Sequence, residues 1–307
     1  MNPILRRLQG AAVGQAGALF RIASHPIGGG GGLRRAALGP IAAALGDKDD
    51  LSGSVIMITG ASSGIGEAAA RRVALAGATV LLVARSADRL ERIAAEIDAA
   101  GPGTAEARPC DLSDLEAIDA LCDGVLADHP AVDVLVNNAG RSIRRSVDNS
   151  GDRFHDFQRT MQLNYFAAIR LILRLLPAMR EQRHGQVVNV SSAGVQIRTP
   201  RFSGYIASKA ALEAFSDAVQ AEALADGVRF TTISMPLVRT PMITPTKQYE
   251  GIPALTPEEA GSLVSEAIVG RPRRVAPPFA HIFSTVDTIS PEAMDALRSR
   301  VYRMFPE

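Results

Sequence analysis

Tryptophan is absent from this chain, and aromatic residues are only 5% of its 307 positions. Surfaces that hold sugars or single-stranded nucleic acid stack their ligands on aromatic rings, so this composition argues against both. No excess of one charge stands out either: 33 Lys and Arg face 32 Asp and Glu, a net of +1. A nucleic-acid partner is therefore not indicated. Cysteine is scarce. Cys110 and Cys122 form no C-x-x-C pair, and no Cys/His cluster has metal-ligand spacing. No metal is expected, and two buried thiols in a reducing compartment fit better than a disulfide. No stretch reaches the roughly 20 apolar residues that cross a bilayer. What remains is enough chain for one large α/β domain or two small ones.

Residues 1 to 50 differ from the rest. They carry Arg6, Arg7, Arg21, Arg34 and Arg35, with no acid before Asp47, and Gly28 to Gly32 reads as a flexible joint. A secretory signal fits badly, because arginines and glycines interrupt the apolar positions. Three readings stay open. The segment lies on an anionic membrane surface through residues 1–45, it is a loosely ordered tail or a helix packed on the domain or a second subunit, or it is an organelle transit peptide.

The next stretch has the order of a dinucleotide site. Ser54 to Thr59 is apolar and β-branched, and reads as a buried parallel strand. Gly60, Gly64 and Gly66 follow it, and a helix is expected from near Ile65. The glycines permit a tight turn and close approach to a pyrophosphate, and the helix N-terminus faces that phosphate with free N–H groups. A second strand, Thr79 to Ala84, ends at Arg85. An acid there would bond ribose hydroxyls and repel a 2′-phosphate. An arginine can instead hold that phosphate by paired hydrogen bonds, so NADPH is preferred over NADH. Ser62 and Ser63 can add hydroxyl contacts. A helix over 87–100, a strand over 104–109, a helix capped by Ser113 with Glu116 in a capping box, and a strand over 132–136 complete this half. Strand–helix alternation predicts a doubly wound parallel sheet with helices on both faces and ligand at the carboxyl strand ends.

Chemistry concentrates in SSAGVQIRTPRFSGYIASK, residues 191 to 209. Tyr205 and Lys209, at i and i+4, share one helix face. A phenol titrates near ~10, and a nearby ammonium would lower that value, which suits a general acid/base. Ser192 could bond the same reacting oxygen. Y-x-x-x-K alone is common by chance; its company gives it meaning.

TGASSGIG at 59–66, NNAG at 137–140, and the serine, tyrosine and lysine above, in this order, resemble the short-chain dehydrogenase/reductase family over about residues 52 to 270. The resemblance implies a Rossmann-type sheet of about seven strands in a domain over 51–275, between the basic extension of 1–50 and a C-terminal extension over 276–307 that packs on the domain. It implies catalytic roles for Asn164, Ser192, Tyr205 and Lys209. Ser192 is chosen over Ser191 because its spacing to Tyr205 is the family's. Asn164, on a long helix to Arg180, would hold a water that relays protons from Lys209. That helix packs on its twin in the family, so a homodimer or homotetramer is expected. By the same resemblance Asp111 bonds the adenine amino group, Leu112 packs on the ring, and Asn138, Ala139 and Gly140 line the cleft. Asn137 stabilises the sheet. Val238 and Thr240 meet the nicotinamide end, where Leu237 replaces the family's usual glycine.

RSIRRS at 141–146, MPLVRTPM at 235–242 and PTK soon after are similar to bacterial fatty acyl-CoA and fatty aldehyde reductases. With an apolar stretch holding Met242, Ile243, Tyr249, Ile252, Pro253 and Leu255, this implies reduction of a long-chain carbonyl, an aldehyde or acyl thioester, with Ser192 and Leu237 at the substrate. Arg141, Arg144 and Arg145 could meet thioester phosphates. A 3-ketoacyl or hydroxysteroid-type ketone reductase is the alternative enzyme. A catalytically silent scaffold at a membrane is the alternative of another class. The expected place is the cytoplasm, with or without membrane association. A helix over 256–269, capped by Thr256 with Pro257 following, precedes a last helix from Ser290-Pro291 whose Met294, Leu297, Val301 and Met304 face either the domain or a partner.

Overall fold

The computed structural model describes residues 50–244 and 251–304. Expectations for residues 1–49, and for Tyr249 and the whole of PTK, lie outside the described residues. Seven parallel strands form one sheet in the order β3-β2-β1-β4-β5-β6-β7. They are β1 (Val55–Thr59), β2 (Thr79–Ala84), β3 (Thr104–Pro109), β4 (Val134–Asn137), β5 (Gly185–Ser192), β6 (Val228–Met235) and β7 (Arg274–Val275). The crossovers are α1 (Gly64–Ala74), α2 (Ala87–Ala100), α3 (Leu115–Asp128), α4 (Phe154–Met161), α5 (Ala167–Glu181), the single turn α6 (Gly194–Ile197), α7 (Ser203–Ala223) and α8 (Pro257–Gly270). Two further helices, α9 (Pro278–Ile289) and α10 (Pro291–Met304), follow β7.

The strands are apolar throughout because both sheet faces are covered. Period-two alternation divides β1: Ile56 and Ile58 join the cluster under α1, α2 and α8, whereas Met57 joins the one under α3, α5 and α7. The strand order reverses between β1 and β4. Their diverging carboxyl ends open a crevice, the general ligand position in such sheets.

The structure corrects several local expectations. The cap of α3 is Asp114, whose carboxylate accepts from Glu116 N and Ala117 N; Ser113 lies one residue too early. The expected capping box exists at α8 instead, between Thr256 and Glu259. The long helix to Arg180 is interrupted by a π-turn over Gln162–Phe166. Residues 278–289, after β7, form the helix α9. On α10 only Met294 is buried; Leu297, Val301 and Met304 are exposed. Arg298 Nε donates to Ile197 O at 3.0 Å, and the Arg201 guanidinium lies 4.0 Å from the Tyr302 ring centre, which ties α10 to the α6–α7 loop. No helix among the described residues is long and apolar enough to cross a membrane.

Candidate active site

A cleft of about 640 Å³ runs along the carboxyl ends of the strands, from Arg85 and Asp111 at one end to Tyr205, Leu237 and Phe279 at the other. Its floor is the loop between β1 and α1. Gly60 and Gly64 have φ of +68° and +58°, values that side-chain-bearing residues rarely adopt. Gly66 is required for space: a Cβ there would stand 2.3 Å from Gly60 O. That close packing presents the N-terminus of α1 to the cleft. Ser63 precedes the helix without capping it through its side chain, so its hydroxyl is not used there. These are the features of a diphosphate cradle, and the residues fit a dinucleotide.

Thr59 organises the opposite wall, a role the sequence reading did not single out. Its Oγ1 accepts from Asn138 N at 2.9 Å and Ala139 N at 3.0 Å and donates to Val136 O at 3.1 Å. Asn138 Nδ2 donates to Thr59 O at 2.8 Å. The two motifs TGASSGIG and NNAG are thus bonded to each other across β1 and β4. Asn137 turns the other way: it donates to Asn189 Oδ1 at 2.9 Å, across the register pair of β4 and β5. Arg85, Asp111 and Leu112 line the cleft, and so does Arg89 one turn further along. Asp111 Oδ1 accepts from Ser113 N at 2.9 Å, which holds the carboxylate in a local turn.

The structure brings Ser192, Tyr205 and Lys209 together, with Asn164 beneath. Ser192 ends β5, and the two others lie one turn apart on α7. Burial raises Tyr205 above the ordinary phenol range, opposed by a hydrogen bond with Ser192. This departs from the expected lowering by Lys209. Desolvation sets the direction, and Lys209 Nζ donates to Val190 O at 2.8 Å. Burial also pulls Lys209 down, to about 8, against the attraction of Glu213. Asn164 is 1% exposed. Its Oδ1 accepts from Arg141 N at 2.7 Å, and its Nδ2 donates to Arg141 O and Ser208 Oγ, each at 2.9 Å. Both its N–H groups are committed, so a relay water would be held by the remaining Oδ1 lone pair or by the backbone of the π-turn, where the helical ladder is widened. A π-turn leaves no periodicity signal, so the sequence could not disclose it.

Leu237, Met242, Ile243 and Ile252 line the cleft with Val238 and Thr240. Leu255 does not: it is 4% exposed, in the core. Its backbone bridges to Val238, with Leu255 N donating to Leu237 O and Arg239 N to Leu255 O, both at 2.9 Å. Phe279, from α9, closes the far wall; an apolar residue beyond the last strand carries no sequence signal for that place. Of the three arginines after NNAG, Arg141 and Arg144 line the cleft, whereas Arg145 pairs with the buried Asp156 at 3.3 Å. No group of acids, cysteines and histidines among the described residues could hold a metal.

Known proteins are similar to this chain in sequence and fold. An oxidoreductase of Mycobacterium tuberculosis, uncharacterised in function, is 55% identical over 259 residues, covering 84% of this chain and 76% of its own. A fatty acyl-CoA reductase of Acinetobacter baylyi is 52% identical over 259 residues, covering 84% and 88%. The crystal structure of a short-chain dehydrogenase from Streptomyces avermitilis superimposes with a TM-score of 0.68 at 34% identity, over 82% of this chain and 98% of that one. The profile of the short chain dehydrogenases matches residues 54–251, the stretch that builds the cradle, the β1–β4 wall and the Ser-Tyr-Lys group. Fold, cleft and sequence agree that this chain is an oxidoreductase of the short-chain dehydrogenase/reductase family, whose members bind a nicotinamide dinucleotide.

Proposed function

We propose that the chain is an NADPH-dependent reductase of a long-chain fatty aldehyde or acyl thioester, acting at alcohol or aldehyde level. The observation that carries this reading is one cleft with two ends: Arg85 and Arg89 at the adenosine end, and Ser192 with Tyr205 among Leu237, Ile243, Ile252 and Phe279 at the other. The likeness to a fatty acyl-CoA reductase supports it. Bound in the cradle, the cofactor supplies the hydride.

The residues do the rest. Ser192 and Tyr205 hold the substrate's carbonyl oxygen. Tyr205, kept protonated by its burial, donates its proton to that oxygen as the hydride reaches the carbon, giving the alcohol from an aldehyde; from an acyl thioester the resulting hemithioacetal breaks its C–S bond, releasing the thiol and the aldehyde. Lys209 is anchored on Val190 O, and there it holds ribose hydroxyls and reloads the tyrosine. A water at the π-turn of Asn164 links Lys209 to solvent. The apolar wall excludes water and takes the alkyl chain. Arg141 and Arg144 meet phosphates of a thioester substrate at the mouth. Phe166 and Leu173, 48% and 53% exposed, lie on the face through which two copies pair.

The test is NADPH oxidation by the full chain against aldehydes and acyl-CoAs of rising length, with Tyr205→Phe beside it. Rates should rise with chain length, and the variant should lose at least ~1,000-fold in kcat while binding NADPH unchanged. Turnover confined to 3-ketoacyl or steroid ketones would overturn the substrate. A variant as active as the parent would overturn the chemistry.

A further inference from the structure

A buried carboxylate lies one helical turn beyond Lys209, and the reaction scheme above gives it no work. Glu213 on α7 is 7% exposed. Its Oε1 accepts from Ser191 Oγ at 2.5 Å, and its Oε2 pairs with Arg274 Nη1 at 3.2 Å. Ser191 is the residue before Ser192 and follows Val190, whose carbonyl holds Lys209 Nζ. Three consecutive residues of β5 therefore fasten to one face of α7: Val190 to Lys209, Ser191 to Glu213, and Ser192 to Tyr205. Of these three fastenings, the Glu213 one is tied in turn to the far edge of the sheet. Arg274 belongs to the two-residue strand β7, and its Nη2 also reaches Asp217 at 3.1 Å. Arg273 pairs with Asp217 as well and donates to Phe230 O at 3.1 Å.

We propose that Glu213 is a positioning residue for the reaction: as a carboxylate clamped by Ser191 and Arg274, it fixes the end of β5 against α7 and maintains the positive charge of Lys209. This rests on the reading of Lys209 as the residue that holds the nicotinamide ribose and reloads Tyr205. Burial raises Glu213 above the ordinary carboxylate range, and the Ser191 hydroxyl and the Arg274 guanidinium, which both donate to it, oppose that rise and favour the ionised form. Ordinary sheet–helix packing could be achieved by apolar side chains here. A charged group in a nearly closed site, at i+4 from a buried lysine, has an electrostatic consequence that packing does not.

The charged groups around this carboxylate are Lys209 and Asp217 on its own helix and Arg274 on β7, with Arg273 beside it paired to Asp217; from β5 the Ser191 hydroxyl donates to it. The sign follows. Burial pulls Lys209 down to about 8 and Glu213 acts against that pull. Removing the carboxylate's charge lowers Lys209 further. The ammonium is then lost at lower pH, and everything that needs it moves with it.

The experiment uses the full chain with Glu213→Gln and Glu213→Asp, and measures NADPH affinity and kcat/KM from pH 6 to 10. The alkaline limb of both profiles should move to lower pH by roughly half to one unit in Glu213→Gln. Glu213→Asp, which keeps the charge, should return it to the parent position. A glutamine variant that melts lower but keeps its alkaline limb in place would make Glu213 structural only and overturn the inference. So would an aspartate variant displaced as far as the glutamine. NADPH affinity is read without any carbonyl substrate, so a failure of the substrate assignment is seen separately, as a parent protein that binds NADPH and reduces nothing in the panel.

Discussion

The cradle glycine Gly66 offers the sharpest test of the cleft's construction. A Cβ at this position would meet Gly60 O at 2.3 Å, Asn138 Nδ2 at 2.6 Å and Gly60 C at 2.8 Å. Two of those atoms are backbone of the loop that holds the diphosphate, so relief requires the loop to move by several tenths of an ångström. In Gly66→Ala the gain in helix propensity, about 1 kcal/mol, opposes an overpacking cost of about 1–3 kcal/mol. The net expectation is a loss of up to about 2 kcal/mol in stability. NADPH affinity should fall at least about tenfold, because the α1 amides no longer present to the phosphates. Gly124→Ala is the internal control. Gly124 lies within α3, and nothing stands within 4 Å of its added Cβ. There the propensity gain of about 1 kcal/mol is unopposed and should raise the melting temperature by about 2 °C. Thermal unfolding and a fluorescence titration with NADPH read both variants. A Gly66→Ala protein that binds NADPH as the parent does would refute the steric argument. A Gly124→Ala protein that melts lower would refute the reasoning from local space.

Arg85→Ala should weaken NADPH binding by about 1–3 kcal/mol, roughly five- to more than a hundredfold, and leave NADH nearly unchanged; equal losses for both would remove Arg85 from 2′-phosphate recognition. The cysteines should be inert in the folded protein. Burial raises Cys110 to about 11 and Cys122 to about 12. A raised thiol stays neutral until pH passes its folded value, so neither should react with iodoacetamide at pH 8 until denaturant is added. Rapid labelling of the native chain would contradict their placement.

Much was legible in the chain because its signals are local. The β1 run, its glycines and the α1 start are contiguous, so SVIMITGASSGIG discloses strand, turn and helix together. Tyr205 and Lys209 are one turn apart on one helix, and the Thr256-Pro257 cap of α8 needs only its own neighbours. The cap of α3 falls on Asp114 rather than Ser113 because Asp114 offers the same chemistry one residue on. Other features exist only after the sheet assembles. Thr59 joins the two cofactor motifs because β1 and β4 are neighbours in space though far apart in sequence. Phe279 reaches the cleft because α9 folds back over α6, and Leu255 leaves it for the core because its backbone bridges to Val238. The protonation of the site belongs to the same class. A tyrosine beside a lysine in sequence suggests a lowered phenol, yet burial raises it, and desolvation depends on everything packed around a group rather than on its neighbours along the chain.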